Sequence, residues 1–113
     1  MRQYWVYMMT NKWNTTLYTG VTNDLIIRVS QHKAAEDKMA FTAIYQLNRL
    51  AWFEEHNDIN FAIVREKQIK RWKREWKNEL IRAMNPTWRD LSDDWLLPND
   101  GKAPEMPSEC DPG

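Results

Sequence analysis

Two short runs rich in aromatic and β-branched residues, Tyr4 to Met9 and Leu17 to Val21, flank the polar interval Asn11 to Thr16, and the helix-start signal Thr22-Asn23-Asp24 follows at once. Runs of this composition form strands, and a polar interval this short makes them pair as an antiparallel hairpin. Within the interval, Asn14 best tolerates a left-handed backbone. Strand side chains alternate, so Trp5, Tyr7 and Met9 share one face, while Tyr18 and Gly20 share one face of the second strand. A register that brings those faces together makes Tyr7 and Tyr18 neighbours.

The rest of the chain reads as helices around one more strand. Leu25, Ile26 and Val29 supply the apolar stripe of a helix that runs to about Ala35. Arg28 and His32 are four residues apart, so they project from one face of it. Glu36 to Thr42 reads as a loop and Leu47 to Glu55 as a third strand. His56-Asn57-Asp58 caps a helix carrying Ile59, Ala62, Ile63 and Ile69. This helix continues or restarts around Trp72 to Met84, where Trp72, Trp76 and Leu80 form a stripe that reads as core. Asn85-Pro86 stops it, and a short turn is expected between Trp88 and Leu97. The order β-β-α-β-α-α predicts an α+β fold, a small three-stranded antiparallel sheet flanked by helices. Repeated βα units, which a doubly wound sheet needs, are missing.

The length of 113 residues fits one domain, assigned to residues 1–97. Residues 98–113, acidic and rich in Pro and Gly, read as a disordered tail. A chain of this size buries roughly two-thirds of its unfolded surface and needs no staple. The lone Cys110 has no partner for a disulfide or a metal, which suits a reduced, cytoplasmic setting. The first apolar run stops at Thr10-Asn11-Lys12, too short to span a membrane. The formal net charge of zero hides an uneven distribution: residues 98–113 carry −3, and the stretch from Arg65 to Lys77 carries +5. A basic helix of this kind is either a solvated face or a phosphate-facing one. The seven tryptophans supply large packing area, and some could also stack on bases.

Trp5-Val6-Tyr7 ends the first strand, and Tyr18-Thr19-Gly20 lies in the second. Arg28 is ten residues beyond Tyr18, with His32 four further on. Asn23-Asp24-Leu25, Arg65-Glu66-Lys67-Gln68-Ile69-Lys70 and Asn85-Pro86-x-Trp88-x-Asp90-Leu91 follow in order. Together these stretches resemble the GIY-YIG endonuclease family, in its stand-alone single-domain bacterial form. They are also similar to the nuclease domain of the nucleotide-excision-repair incision subunit. The resemblance covers the chain to about Leu91. It implies a cytoplasmic, metal-dependent DNA endonuclease, structure-selective or weakly sequence-specific, that serves DNA repair, recombination or restriction and leaves a 5′-phosphate and a 3′-hydroxyl. Tyr7 and Tyr18 match the motif tyrosines, one a general base toward water and the other a positioning group. Arg28 matches the arginine on the scissile phosphate, and His32 a histidine that hydrogen-bonds near it. Glu66 matches the ligand for Mg2+ or Mn2+, while Gly20 and Asn85 are expected to support the site. Lys67, Lys70, Arg71, Lys73 and Arg74 are expected to contact DNA.

The chemistry is consistent with that set. Phosphodiester hydrolysis needs an activated water, charge relief on the phosphoryl oxygens and protonation of the leaving oxygen. One carboxylate can hold a hard dication when waters and the substrate phosphate complete its shell. Taken singly, each residue has an ordinary role: a strand tyrosine packs, Arg28 pairs with Asp24, Glu66 with Lys70, and His56 is a capping or loop residue. Their joint spacing is what favours the nuclease. Several positions depart from the family pattern. Val21 stands where the repair subunits carry a lysine that helps lower the tyrosine pKa, and Ile27 where relatives carry a second arginine. Thr15-Thr16 replaces an Asn-Gly turn, and Ala43-Ile44 lacks expected lysines. The alternatives are a non-catalytic nucleic-acid-binding module or a protein-interaction module on the same fold.

Overall fold

The computed structural model describes residues 3–35 and 40–95. The tail read over 98–113, and Cys110 within it, lie outside the described residues. The elements are β1 (Tyr4–Thr10), β2 (Leu17–Thr22), α1 (Leu25–Ala34), α2 (Phe41–Ile44), β3 (Arg49–His56), α3 (Ile59–Lys70), α4 (Arg74–Met84) and a closing 3-10 turn (Leu91–Trp95). The three strands form one antiparallel sheet in the order β2-β1-β3, the expected α+β architecture.

β1 lies in the middle, and its alternating side chains feed two separate cores. Val6 and Met8 pack with Ala51, Trp52, Ala62, Ile69 and Ile81 beneath α3 and α4. Tyr7 and Met9 pack with Leu25, Val29, Leu47, Leu50 and Leu91 on the side of α1. A central strand covered on both faces is mostly apolar, which is why Val6-Tyr7-Met8-Met9 is fully buried and carries no charged residue.

The hairpin loop is closed by its own side chains. Asn11 accepts from the Thr15 N–H at 2.9 Å and donates to Thr15 Oγ1 at 2.8 Å, and Asn14 takes the expected left-handed conformation at φ 58°. Asp24 caps α1 by accepting from the Ile27 N–H at 3.1 Å. The helix ends at Ala35, left-handed at φ 52°.

Four expectations need correction. Ile26 is not part of the buried stripe: it is 58% exposed, while Leu25 and Val29 alone face the core. Of the segment read as a loop over Glu36 to Thr42, residues 36–39 lie outside the described residues, while Phe41 and Thr42 already belong to the short helix α2, closed by the Leu47 N–H donating to Thr42 O at 2.8 Å. Trp76 is not core. The chain tightens at Arg71 and Trp72, whose N–H groups reach back three residues, and α4 restarts at Arg74. Trp72 and Leu80 pack on the core, whereas Trp76 meets the Trp72 ring edge to face and stays 50% exposed. His56 is the last residue of β3 and pairs with Glu54 at 2.8 Å.

β1 and β3 slip register between Met8 and Met9, so Met8 faces Trp52 and Met9 faces Leu50. The bulge leaves Ala51 without an opposite partner. Its freed backbone is satisfied from the chain's end. Asn85 Nδ2 donates to Ala51 O at 3.1 Å, and Asp90 Oδ1 accepts from the Leu50 N–H at 3.1 Å. Lys33 on α1 forms an ion pair with the other Asp90 oxygen. Burial alone would raise the Asp90 pKa, but Lys33, the Ser92 hydroxyl and the Leu50 N–H outweigh it and hold the carboxyl below its ordinary range.

Candidate active site

Tyr7 sits opposite Gly20 across the β1–β2 pair, and Tyr18 lies one step along the same face, opposite Met9. The rings are neighbours, with centroids 6.2 Å apart. Gly20 makes this possible, because a β-carbon there would stand 2.9 Å from the Tyr18 ring and closer still to Tyr7. From α1, His32 reaches both rings, at 5.7 Å from each centroid. Its Nε2 lies 2.9 Å from the Tyr7 hydroxyl, and its Nδ1 lies 2.9 Å from Thr42 Oγ1.

The protonation states follow from burial. Burial, reinforced by Tyr18, pushes the Tyr7 phenol well above its ordinary range, although the Arg28 guanidinium beside it pulls the other way. Tyr7 therefore stays a neutral O–H donor at any ordinary pH. Burial and then Arg28 lower the His32 pKa below 6.5, so the imidazole is neutral at pH 7. A neutral imidazole offers one acceptor and one donor. The phenol is the stronger acid of its two partners, so Tyr7 donates to Nε2 and Nδ1–H donates to Thr42. Thr42 was not singled out in the sequence. Only its place on α2, brought over α1 by the chain's path, marks it.

A cleft of about 520 Å³ opens beside this cluster, lined by Tyr18, Arg28, Gln31, His32, Ala35, Ala40, Phe41 and Thr42. Tyr7 is fully buried behind it. Arg28 and His32, one turn apart on α1, both serve this cleft. Glu66, on α3, is buried apart from a small fraction of its side chain, and it too adds to the field at Tyr7. Its carboxylate holds the Lys70 ammonium at 2.6 Å, and that ammonium lies 5.8 Å from the Tyr18 ring centre. The phenols, the guanidinium, the imidazole and the carboxylate thus come from β1, β2, α1 and α3 into one neighbourhood. Among the described residues no three His, Cys, Asp or Glu side chains gather as a preformed metal cage.

The other expected residues have different partners. Asn85 is buried at the sheet bulge, where its Nδ2 also donates to Arg89 O at 2.7 Å and its Oδ1 accepts from the Arg89 N–H at 3.1 Å. It therefore braces β3 behind the site. Arg74 ties α4 to the hairpin loop, donating to Asn14 O at 2.7 Å and Thr15 O at 3.0 Å, so its guanidinium is already engaged. Lys67, Lys70, Arg71 and Lys73 are exposed. Arg65, part of the same basic run, is paired with Glu54 at 3.0 Å.

A three-stranded antiparallel sheet with paired phenols on its hairpin and an arginine on the next helix defines a small α+β domain of the nuclease type. Residues 3–79 match the GIY-YIG catalytic domain, and the chain belongs to the GIY-YIG family of nucleases. Its fold is similar to the solution NMR structure of the UPF0213 protein BH0048 from Bacillus halodurans. That likeness has a TM-score of 0.50 at 22% identity and covers 78% of this chain and 92% of that one. No curated protein matches the chain at a significant level. Among the described residues no helix is long and apolar enough to cross a membrane.

Proposed function

We propose that this protein is a divalent-metal-dependent endonuclease that hydrolyses DNA phosphodiester bonds at the Tyr18–Arg28–His32 cleft. The observation that carries this reading is the contact of Tyr7, Tyr18 and His32 beside Arg28, within the field of Glu66.

In this mechanism the scissile phosphate enters the cleft and meets the Arg28 guanidinium, whose fixed donors offset charge developing on the phosphoryl oxygens. Water attacks phosphorus opposite the leaving oxygen. The P–O3′ bond breaks, the water loses a proton, and the leaving oxygen gains one, giving a 5′-phosphate and a 3′-hydroxyl. Tyr18 is the phenol that faces the cleft, so it is assigned to the attacking water. Tyr7 is assigned to positioning: it is buried, it stays protonated, and it holds His32 at the cleft wall.

Glu66 would hold the metal. It is a nearly buried hard-oxygen donor that already binds a cation, the Lys70 ammonium, and a single carboxylate suits an ion such as Mg2+ that keeps most of its waters. When bound, the ion would neutralise phosphate charge and acidify water. Lys70 also brings positive charge to Tyr18, the place left open by Val21. Lys67, Arg71 and Lys73 are exposed and suit contacts to the flanking backbone.

The test is incubation of the purified protein with Mg2+ or Mn2+ and nicked, branched and single-stranded DNA. Cleavage lost in Glu66→Ala and in Arg28→Ala is the expected result. Cleavage that persists in either variant would remove this site from the reaction.

A further inference from the structure

α3 presents two different faces. Glu66 and Lys70 turn toward Tyr18, whereas Val64, Lys67, Gln68 and Arg71 line a second groove closed by Trp72 and Trp76 at the break before α4. The groove is about 520 Å³ in volume. Its floor is aromatic: the two indoles meet edge to face, with centroids 6.2 Å apart. Trp76 is 50% exposed and Val64 63%, so a large apolar surface stays open to water. No carboxylate lines the groove, while Lys67 and Arg71 do, and Lys73 lies 5.4 Å over the Trp76 ring. Positive charge is crowded nearby as well, since burial and then repulsion from Arg74 and Lys70 lower the Lys77 pKa.

A half-exposed indole ringed by cations would be a poor core position and a poor solvated surface. It is a suitable seat for a flat, apolar-faced ring attached to a polyanion. We propose that the α3–α4 groove is a binding subsite for single-stranded DNA, in which an unpaired base stacks on Trp76 while Lys67, Arg71 and Lys73 take the adjoining phosphates. A duplex keeps its bases stacked on one another and cannot offer one to an indole in a groove. The subsite therefore selects DNA that carries an unpaired segment. It deepens the nuclease reading and rests on it only for the choice of DNA as the polyanion.

The test is equilibrium binding of the full chain in EDTA, without cleavage, to a labelled oligo-dT and to a blunt duplex of equal length. Fluorescence anisotropy reads affinity, and quenching of tryptophan emission reads stacking. Wild type is expected to bind the single strand more tightly and with quenching. Trp76→Ala should weaken single-strand binding about tenfold, remove part of the quenching and leave duplex binding unchanged. Trp76→Phe should restore most of the affinity. Lys67→Ala with Arg71→Ala should weaken binding and flatten its salt dependence. Trp76 is half exposed, so circular dichroism and melting should match wild type, and a variant that melts early is replaced by Trp76→Phe and Trp76→Leu for the comparison. Unchanged single-strand binding in Trp76→Ala, or equal losses on both DNAs, would overturn the subsite. Because metal is absent, loss of the nuclease reading through Glu66→Ala leaves this result standing, and the reverse also holds.

Discussion

The Tyr7 hydroxyl lies 2.7 Å from the point where a β-carbon on residue 20 would stand. Tyr7 is fully buried and has no room to retreat. Gly20→Ala is therefore expected to destabilise the fold by roughly 1–3 kcal/mol, through overpacking. It should also lower kcat by about a hundredfold, since the phenol and His32 move together. Urea denaturation and cleavage rates check the two effects separately. A stable, fully active Gly20→Ala protein would show that the close approach has no consequence.

Thr42 holds His32 from the side away from Tyr7, at 2.9 Å. Thr42→Val keeps the shape and removes the acceptor of Nδ1–H. A lost hydrogen bond of about 1 kcal/mol corresponds to roughly a fivefold fall in kcat, with KM little changed. Thr42→Ser should restore the rate. A Thr42→Val enzyme with wild-type kcat and pH profile would deny the threonine its positioning role.

His32 also carries a pH signature. Burial and Arg28 hold its folded pKa below 6.5, so below that pH the unfolded chain takes up a proton before the folded one does. The contribution of His32 to stability is therefore complete above about pH 6.5 and falls as pH drops through the window beneath it. Urea midpoints measured between pH 5 and 8 should show this slope, and His32→Gln should flatten it. Activity should fall over the same window, because a protonated ring cannot accept from Tyr7.

Asn85 is expected to matter for the fold before it matters for chemistry. Asn85→Ala leaves the Ala51 and Arg89 carbonyls and the Arg89 N–H without the partners they have now. The cost is roughly 2–3 kcal/mol. The melting temperature should drop, while kcat per folded molecule at low temperature stays near wild type. A stable but inactive variant would instead assign Asn85 to the reaction.

Lys70 occupies the Glu66 carboxylate, so on the proposed function a metal ion would have to compete with it. Lys70→Met should lower the Mg2+ concentration needed for half-maximal cleavage. It should also reduce the rate at saturating metal, because Tyr18 loses the nearby ammonium. Although the lysine side is half exposed, the nearly buried Glu66 carboxylate loses its partner, so without metal the fold should lose roughly 1–3 kcal/mol. Addition of EDTA should abolish cleavage by wild type and variant alike.

Some of this was legible along the chain. The strand runs of Tyr4 to Met9 and Leu17 to Val21, the Asn14 turn and the Asp24 and Asp58 caps announce themselves through local chemistry, and each lies where that chemistry implies. The spacing of Tyr7, Tyr18, Arg28 and His32 pointed to a common neighbourhood, and their proximity follows from the hairpin register and one helical turn. Ile26 and Trp76 were misplaced because periodicity says which residues share a stripe but not where a helix breaks or which edge of the stripe faces the core.

Local pattern was sufficient for the strands, the helices and the hairpin, each of which depends on neighbours close in sequence, and the ordered spacing of the motifs was sufficient for the membership in a nuclease family. The hydrogen bond from His32 to Thr42, the approach of the Lys70 ammonium to the Tyr18 ring, and the bracing of the β3 bulge by Asn85 and Asp90 had no such signal. Those contacts join residues whose separation is set by how two cores close on opposite faces of β1. Packing of that kind is a property of the whole chain's path, which no short stretch of residues encodes.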